Sequence, residues 1–207
     1  MGSLTVASLN TRGVPLLGSA LSARYAAIGA KFEASNVDVV NLQEVHTWYH
    51  PRRLLRSMPS YRFVSFRPSV SGPAGGLLTL SRRTVTSTTY RRFPTPTAAD
   101  AAGLPRRTRL TALLKGALLT HLADVTIINT HLLANRDGDW SPTNRHYRLH
   151  QAYLSPGRSP HCIDFLLLSA STITVESAAL TFTDQVALPN GPAYATDHLG
   201  LEVHLTL

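Results

Sequence analysis

Short apolar runs alternate with polar breaks along the whole chain, and they read as strands interleaved with few helices. Leu4-Thr5-Val6-Ala7-Ser8-Leu9 is β-prone and stops at Asn10-Thr11-Arg12-Gly13. Leu21, Tyr25, Ile28 and Phe32 recur at helical spacing, which predicts an amphipathic helix over 21–34. Residues 37–42 read as a buried strand, and 51–58 as a helix with Pro51 near its first turn. A strand is expected at 63–66, a loop at 68–76, and a hairpin from 76–80 and 84–90. The Pro/Ala-rich stretch 93–105 reads as a surface loop. Residues 109–122 and 124–130 form a second expected strand pair, and 144–154 a helix. Strands at 163–169, 172–182 and 199–207 close the chain. With no repeat, heptad array or linker, residues 1–207 are expected to form a single domain. Strands before, between and after few helices imply an α+β or mixed α/β sandwich of two sheets.

A chain of 207 residues can bury a core without disulfides or a structural metal. A hydrophobic content of 43% and a mean hydropathy of -0.01 exclude wholesale disorder. The apolar runs are too short to cross a bilayer, so no transmembrane segment is expected. Cys162 is the only cysteine, which excludes an intramolecular disulfide and a zinc–thiolate cluster. Met1-Gly2-Ser3-Leu4-Thr5-Val6 lacks the layout of a secretory signal, so a cytoplasmic setting is expected, with the protein a monomer.

The formal charge is +8 and it is unevenly placed. Between Arg52 and Arg109 lie 12 arginines and one acid, Asp100, so the rest of the chain is slightly acidic. A basic middle suits an anionic partner such as a phosphodiester, a nucleic acid or a phospholipid headgroup. An arginine-rich soluble surface explains the same count with no partner at all.

The polar residues at strand ends change the picture. Asn10 ends the first strand, Gln43 and Glu44 the second, and Asn129, Thr130 and His131 another. Asp164 interrupts the apolar run Cys162-Ile163-Asp164-Phe165-Leu166-Leu167, where a carboxylate needs a partner. Asp197-His198 directly precedes the last strand. Strand ends along one sheet edge are where distant segments converge. A carboxylate beside an amide oxygen offers the hard ligands that suit Mg²⁺. A His with a neighbouring Asp makes a general base of fixed tautomer. Taken singly, Asn10 can equally cap a turn, Glu44 can be an exposed strand end, and His131 can be a hydrogen-bonded structural histidine.

Five segments in order carry a resemblance. They are Val6-Ala7-Ser8-Leu9-Asn10, Val39-Val40-Asn41-Leu42-Gln43-Glu44-Val45, Ile128-Asn129-Thr130-His131-Leu132, Ile163-Asp164-Phe165-Leu166-Leu167 and Thr196-Asp197-His198-Leu199. Together they resemble the endonuclease/exonuclease/phosphatase superfamily of metal-dependent phosphoesterases. Gly75-Gly76-Leu77-Leu78-Thr79-Leu80-Ser81-Arg82 and Lys115-Gly116 look more like its neutral sphingomyelinase branch than its DNA-repair branch. The resemblance implies a DNase I-like four-layer α/β sandwich, two mixed sheets flanked by helices. It implies Mg²⁺, with Mn²⁺ as an alternative, held by Glu44 and Asn10. His131 would stabilise the phosphoryl oxygens and His198 would be the general base. Asp164 would orient His198, and Asp197 would complete the site. The implied substrate is an anionic phosphate ester: a phospholipid, a nucleic acid or a sugar phosphate.

One family motif is absent. No Gly-Asp-Phe-Asn segment lies between His131 and Asp164, which are only 33 positions apart. A central strand and its site loop are therefore expected to be missing, and activity to be impaired. Asp137 and Asp139, in Arg136-Asp137-Gly138-Asp139, are the nearby carboxylates that could substitute, although Asp-Gly-Asp also reads as a turn. The alternatives are a non-catalytic relative that binds phosphate or nucleic acid through its arginines, and a truncated product with no selected activity.

Overall fold

A computed structural model describes residues 2–13, 20–94, 113–131 and 172–207. Its strands are β1 (Ser3–Asn10), β2 (Val39–Gln43), β3 (Phe63–Ser65), β4 (Leu78–Ser81), β5 (Ser87–Arg92), β6 (Gly116–His121), β7 (Thr126–Thr130), β8 (Thr174–Thr181), β9 (Val186–Leu188), β10 (Gly191–Ala193) and β11 (Gly200–Thr206). Its helices are α1 (Leu21–Glu33) and α2 (Tyr49–Ser57), with a 3₁₀ turn at Ala74–Gly76. The large sheet runs β3-β4-β2-β1-β11-β8, and β5-β6-β7 form a second sheet. β1 and β2 are parallel while the other pairs of the large sheet are antiparallel, so that sheet is mixed. The small sheet is antiparallel throughout its described strands.

Side-chain alternation divides the large sheet between two cores. Ala7, Leu9, Val40, Leu42, Leu78 and Leu80 point to the helices and meet Tyr25, Ile28, Phe32, Leu54 and Met58. Tyr25, Ile28 and Phe32 are thus on the buried face of α1 that the periodicity predicts. Leu4, Val6, Val39, Val203 and Leu205 point the other way and meet Ile127 of β7. β2 is buried along its whole length, as befits a strand covered on both faces. The architecture is α+β and DNase I-like: helices, a mixed sheet, then a second sheet.

The expected hairpin of 76–80 with 84–90 does not form. β4 pairs with β2 and β3, whereas β5 pairs with β6 in the other sheet. The physical cause is that Leu78 and Leu80 are core residues, while β5 is exposed along nearly all its length. Arg82 fixes the crossover, donating to the carbonyls of Ser35 (2.7 Å), Glu33 (2.9 Å) and Phe32 (3.2 Å). Of the strand pair expected at 109–122 and 124–130, Gly116–His121 and Thr126–Thr130 pair antiparallel as β6 and β7, while 109–112 lie outside the described residues. The helix expected at 144–154 and the strand expected at 163–169, with Asp164, lie outside the described residues, as do Asp137 and Asp139.

Candidate active site

The site begins where β1 and β2, side by side and parallel, reach their C-terminal ends. Register pairs Asn10 with Gln43, and the ladder continues as Thr11 N–H donates to the Gln43 carbonyl at 3.0 Å. Glu44 then turns out of the sheet in the left-handed region, at φ 60. Asn10 Nδ2 donates to Glu44 Oε1 at 3.1 Å, and both residues are buried. Asn10 Oδ1 also accepts from the Arg12 backbone N–H at 3.0 Å, so Asn10 caps this turn while its amide touches Glu44. Gly13 is packed so tightly on the Glu44 carbonyl and the Tyr25 hydroxyl that no side chain fits there.

The second sheet is locked to these strand ends by one amide. Asn129 Nδ2 donates to the carbonyls of Leu42 (3.1 Å) and Leu78 (3.0 Å), and its Oδ1 accepts from Gln43 Nε2 at 2.8 Å. This buried network sets the register between the sheets. Two residues beyond Asn129, His131 reaches the carboxylate: its Nε2 lies 3.8 Å from Glu44 Oε1. Lys115 Nζ is 3.0 Å from His131 Nδ1. An ammonium only donates, so Nδ1 is the acceptor and the ring proton sits on Nε2, facing Glu44.

The segment before β11 closes the third side. Thr196 Oγ1 donates to the Asn10 carbonyl at 2.6 Å and accepts the His198 backbone N–H at 3.3 Å. Asp197 Oδ2 pairs with Arg12 Nε at 3.2 Å, while its Oδ1 is buried with no hydrogen-bond partner. Buried Arg24, from α1, ties both segments together, donating to the Ala195 carbonyl at 2.7 Å and the Thr11 carbonyl at 3.0 Å. Burial lowers its pKa, the Arg12 charge adds to that, and Tyr25, Asp197 and Glu44 oppose it. Burial likewise lowers the pKa of His46, with Glu44 opposing and Lys115 reinforcing.

The structure therefore brings Asn10, Glu44 and His131 into one cluster, with Asp197 and the His198 backbone joined to it through Thr196 and Arg12. Asp164 lies outside the described residues. The strand-end pattern missed Arg24 and Arg12 as site members. An arginine on the buried face of an amphipathic helix was the available signal for Arg24. Among the described residues no group of three or more His, Cys, Asp and Glu side chains gathers as a metal centre. A divalent cation that keeps most of its waters needs only one or two protein oxygens. Glu44 and Asn10 fit that requirement, because the Asn10 oxygen keeps a second lone pair beyond its bond to Arg12. The orphaned Asp197 Oδ1 is a further acceptor awaiting a partner.

No curated protein sequence matches the chain. Three solved structures show the fold. D. rerio TDP2, complexed with single strand DNA product, gives a TM-score of 0.64 at 15% identity, covering 100% of both chains. SmcL gives 0.67 at 14% identity, covering 100% of this chain and 99% of that one. Sphingomyelinase C from Streptomyces griseocarneus gives 0.52 at 18% identity, covering 74% of this chain and 58% of that one. The model of the endonuclease/exonuclease/phosphatase family matches residues 7–163, a stretch that contains Asn10, Glu44 and His131. Family model, fold and strand-end cluster agree: the chain belongs to the endonuclease/exonuclease/phosphatase family of phosphoester hydrolases.

Proposed function

We propose that the protein is a Mg²⁺-dependent phosphodiesterase, with Mn²⁺ able to substitute. The observation that supports this most is the meeting of Asn10, Glu44 and His131 from three separate strand ends around one buried carboxylate. Glu44 and Asn10 would hold the ion, which when bound supplies Lewis acidity to a phosphoryl oxygen. His131, with its proton on Nε2, donates to a phosphoryl oxygen and stabilises its growing charge. Lys115 behind it fixes that tautomer. His198 takes the proton from the attacking water as the new O–P bond forms in line with the breaking one, and the leaving oxygen, on the opposite side of phosphorus, takes its proton from solvent. Asp164 orients the His198 imidazolium and Asp197 completes the site. These last roles rest on the family resemblance.

The substrate is an anionic phosphate ester. One structural relative holds a single-strand DNA product and another is a sphingomyelinase, so both kinds of phosphodiester are candidates. The test is hydrolysis of bis-p-nitrophenyl phosphate, sphingomyelin and plasmid DNA with and without Mg²⁺, by wild type, Glu44→Ala and His198→Ala. Equal rates for all three proteins on every substrate would sink the enzymatic reading. A second reading, a non-catalytic phosphate binder, is favoured by the absence of a Gly-Asp-Phe-Asn segment from the sequence. It expects phosphate-ester binding through the arginines of the basic middle that Glu44→Ala leaves in place, with no turnover.

A further inference from the structure

Beside the catalytic cluster two arginines gather around one tyrosine. The Arg67 guanidinium lies 5.8 Å from the centre of the Tyr90 ring. Arg92, two residues along β5 and so on the same face as Tyr90, is close enough for its charge to act on the phenol along with that of Arg67. The ring is held in a built seat. Its hydroxyl donates to the Leu114 carbonyl at 3.1 Å, and it occupies space that a side chain at Gly75 or Gly116 would fill.

The seat is continuous with the site. Arg92 is the register partner of Gly116, and Phe93 N–H donates to the Lys115 carbonyl at 3.2 Å. Lys115 is the residue that contacts His131. On the other side, Arg67 accepts the Ala74 N–H at 2.8 Å, at the start of the turn whose Gly76 packs on His46 and Glu44. Arg67 and Arg92 are exposed, and among the described residues neither has a carboxylate partner. No acid occurs between Glu44 and Asp100 in the sequence. Arg67 over the ring and Arg92 two residues along the same strand face are like charges with no carboxylate between them, and a bound anion offsets both. Guanidinium groups match a phosphate bidentately.

We infer that Arg67, over the Tyr90 ring, and Arg92, on the same face of β5, form a subsite for a second phosphate of the substrate, beyond the one hydrolysed. The preferred substrates then carry at least two phosphates, as a short single-stranded oligonucleotide or a polyphosphorylated inositol headgroup does. Mono-phosphodiesters such as bis-p-nitrophenyl phosphate do not engage it. This inference rests on the proposed hydrolase reading for its turnover arm alone.

The test compares wild type with the double variant Arg67→Gln/Arg92→Gln and with a control, Arg52→Gln/Arg56→Gln, which removes the same charge from the exposed face of α2. Turnover is read as kcat/KM on a single-stranded DNA tetranucleotide divided by that on bis-p-nitrophenyl phosphate. The subsite variant is expected to lower this ratio at least ten-fold, mostly through KM, and the control less than three-fold. Binding is read separately, by anisotropy of the fluorescein-labelled tetranucleotide and by calorimetry with inositol 1,4,5-trisphosphate. A ten-fold or greater rise in Kd for either ligand in the subsite variant supports the subsite even if no protein turns over, and shows which source of phosphate it takes. Equal losses in variant and control, or no loss in either readout, overturn it.

Discussion

Acidification should destabilise this protein through one histidine beneath the site. His50 is 1% exposed on α2, and its ring is stacked on Tyr25 at 4.5 Å between centroids and 15° between planes. Its Nδ1 is buried with no hydrogen-bond partner, so a proton added there has nothing to meet it. Burial pushes its pKa down to about 4, and the nearby charges of His46 and Arg24 push the same way. The unfolded chain titrates this group near 6.5. Below that pH the unfolded state takes up a proton that the folded state refuses, so stability falls with pH. The loss starts as pH drops through about 6.5 and levels off near 4. The full shift corresponds to roughly 3 kcal/mol, of which about 2.5 kcal/mol has gone by about pH 4.5. His50→Phe keeps a ring against Tyr25 and removes the titration. Urea unfolding of wild type and variant at a series of pH values from neutral to acid separates the His50 contribution, because His46 and every carboxylate are common to both. The difference in stability between the two proteins should swing toward the variant by about 2.5 kcal/mol across that range. Parallel pH profiles would show that the buried imidazole does not govern acid stability. The consequence reaches the site, because Tyr25 shares a 2.6 Å hydrogen bond with Thr11, which donates to the Gln43 carbonyl at 2.8 Å.

Other perturbations have equally definite outcomes. Arg24→Leu strips two buried carbonyls, Thr11 and Ala195, of their donor; a loss of about 2–4 kcal/mol in denaturant unfolding is expected, together with a fall in kcat larger than any change in KM. Arg82→Ala removes the donor to three carbonyls and the Ser60 hydroxyl as well as a guanidinium 4.5 Å over Tyr61, and should cost about 2–3 kcal/mol by the same measurement. Gly76→Ala places a methyl 2.8 Å from the His46 ring and 3.3 Å from Glu44 Cα, at φ +70. Backbone strain of about 1–2 kcal/mol should appear in stability, and displacement of Glu44 should appear as a weaker response of the rate to Mg²⁺.

Much of the frame is legible in the sequence because it is local. The spacing of Tyr25, Ile28 and Phe32 encodes one helix face, and the closely spaced apolar residues Val39, Val40 and Leu42 encode a strand covered on both sides. Asn10, Glu44 and His131 stand out because polar residues at the ends of apolar runs are visible without knowing what pairs with what. What is not legible is long-range. The stretch holding β4 and β5 reads as a hairpin, and only the competition between a core-lining strand and an exposed one sends them to different sheets. The β9–β10 ribbon went unseen because its strands have three residues each, although Pro189-Asn190-Gly191 carries a turn signal. Arg24 was hidden because its partners are main-chain carbonyls 13 and 171 residues away, which leave no mark in side-chain pattern. The link from Asp197 to Asn10 runs through Thr196, whose role depends on how the last strand enters the sheet.

Glu44 is the carboxylate around which the ends of β1, β2 and β7 gather, and the proposed hydrolysis depends on it. The most direct measurement is the initial rate of bis-p-nitrophenyl phosphate hydrolysis against Mg²⁺ concentration, for wild type and Glu44→Gln. Wild type should show a saturable rise with Mg²⁺, and the variant, unfolding at the same urea concentration, a rate at least 100-fold lower with no saturation. A Glu44→Gln protein that matches wild type in both rate and Mg²⁺ response would contradict it.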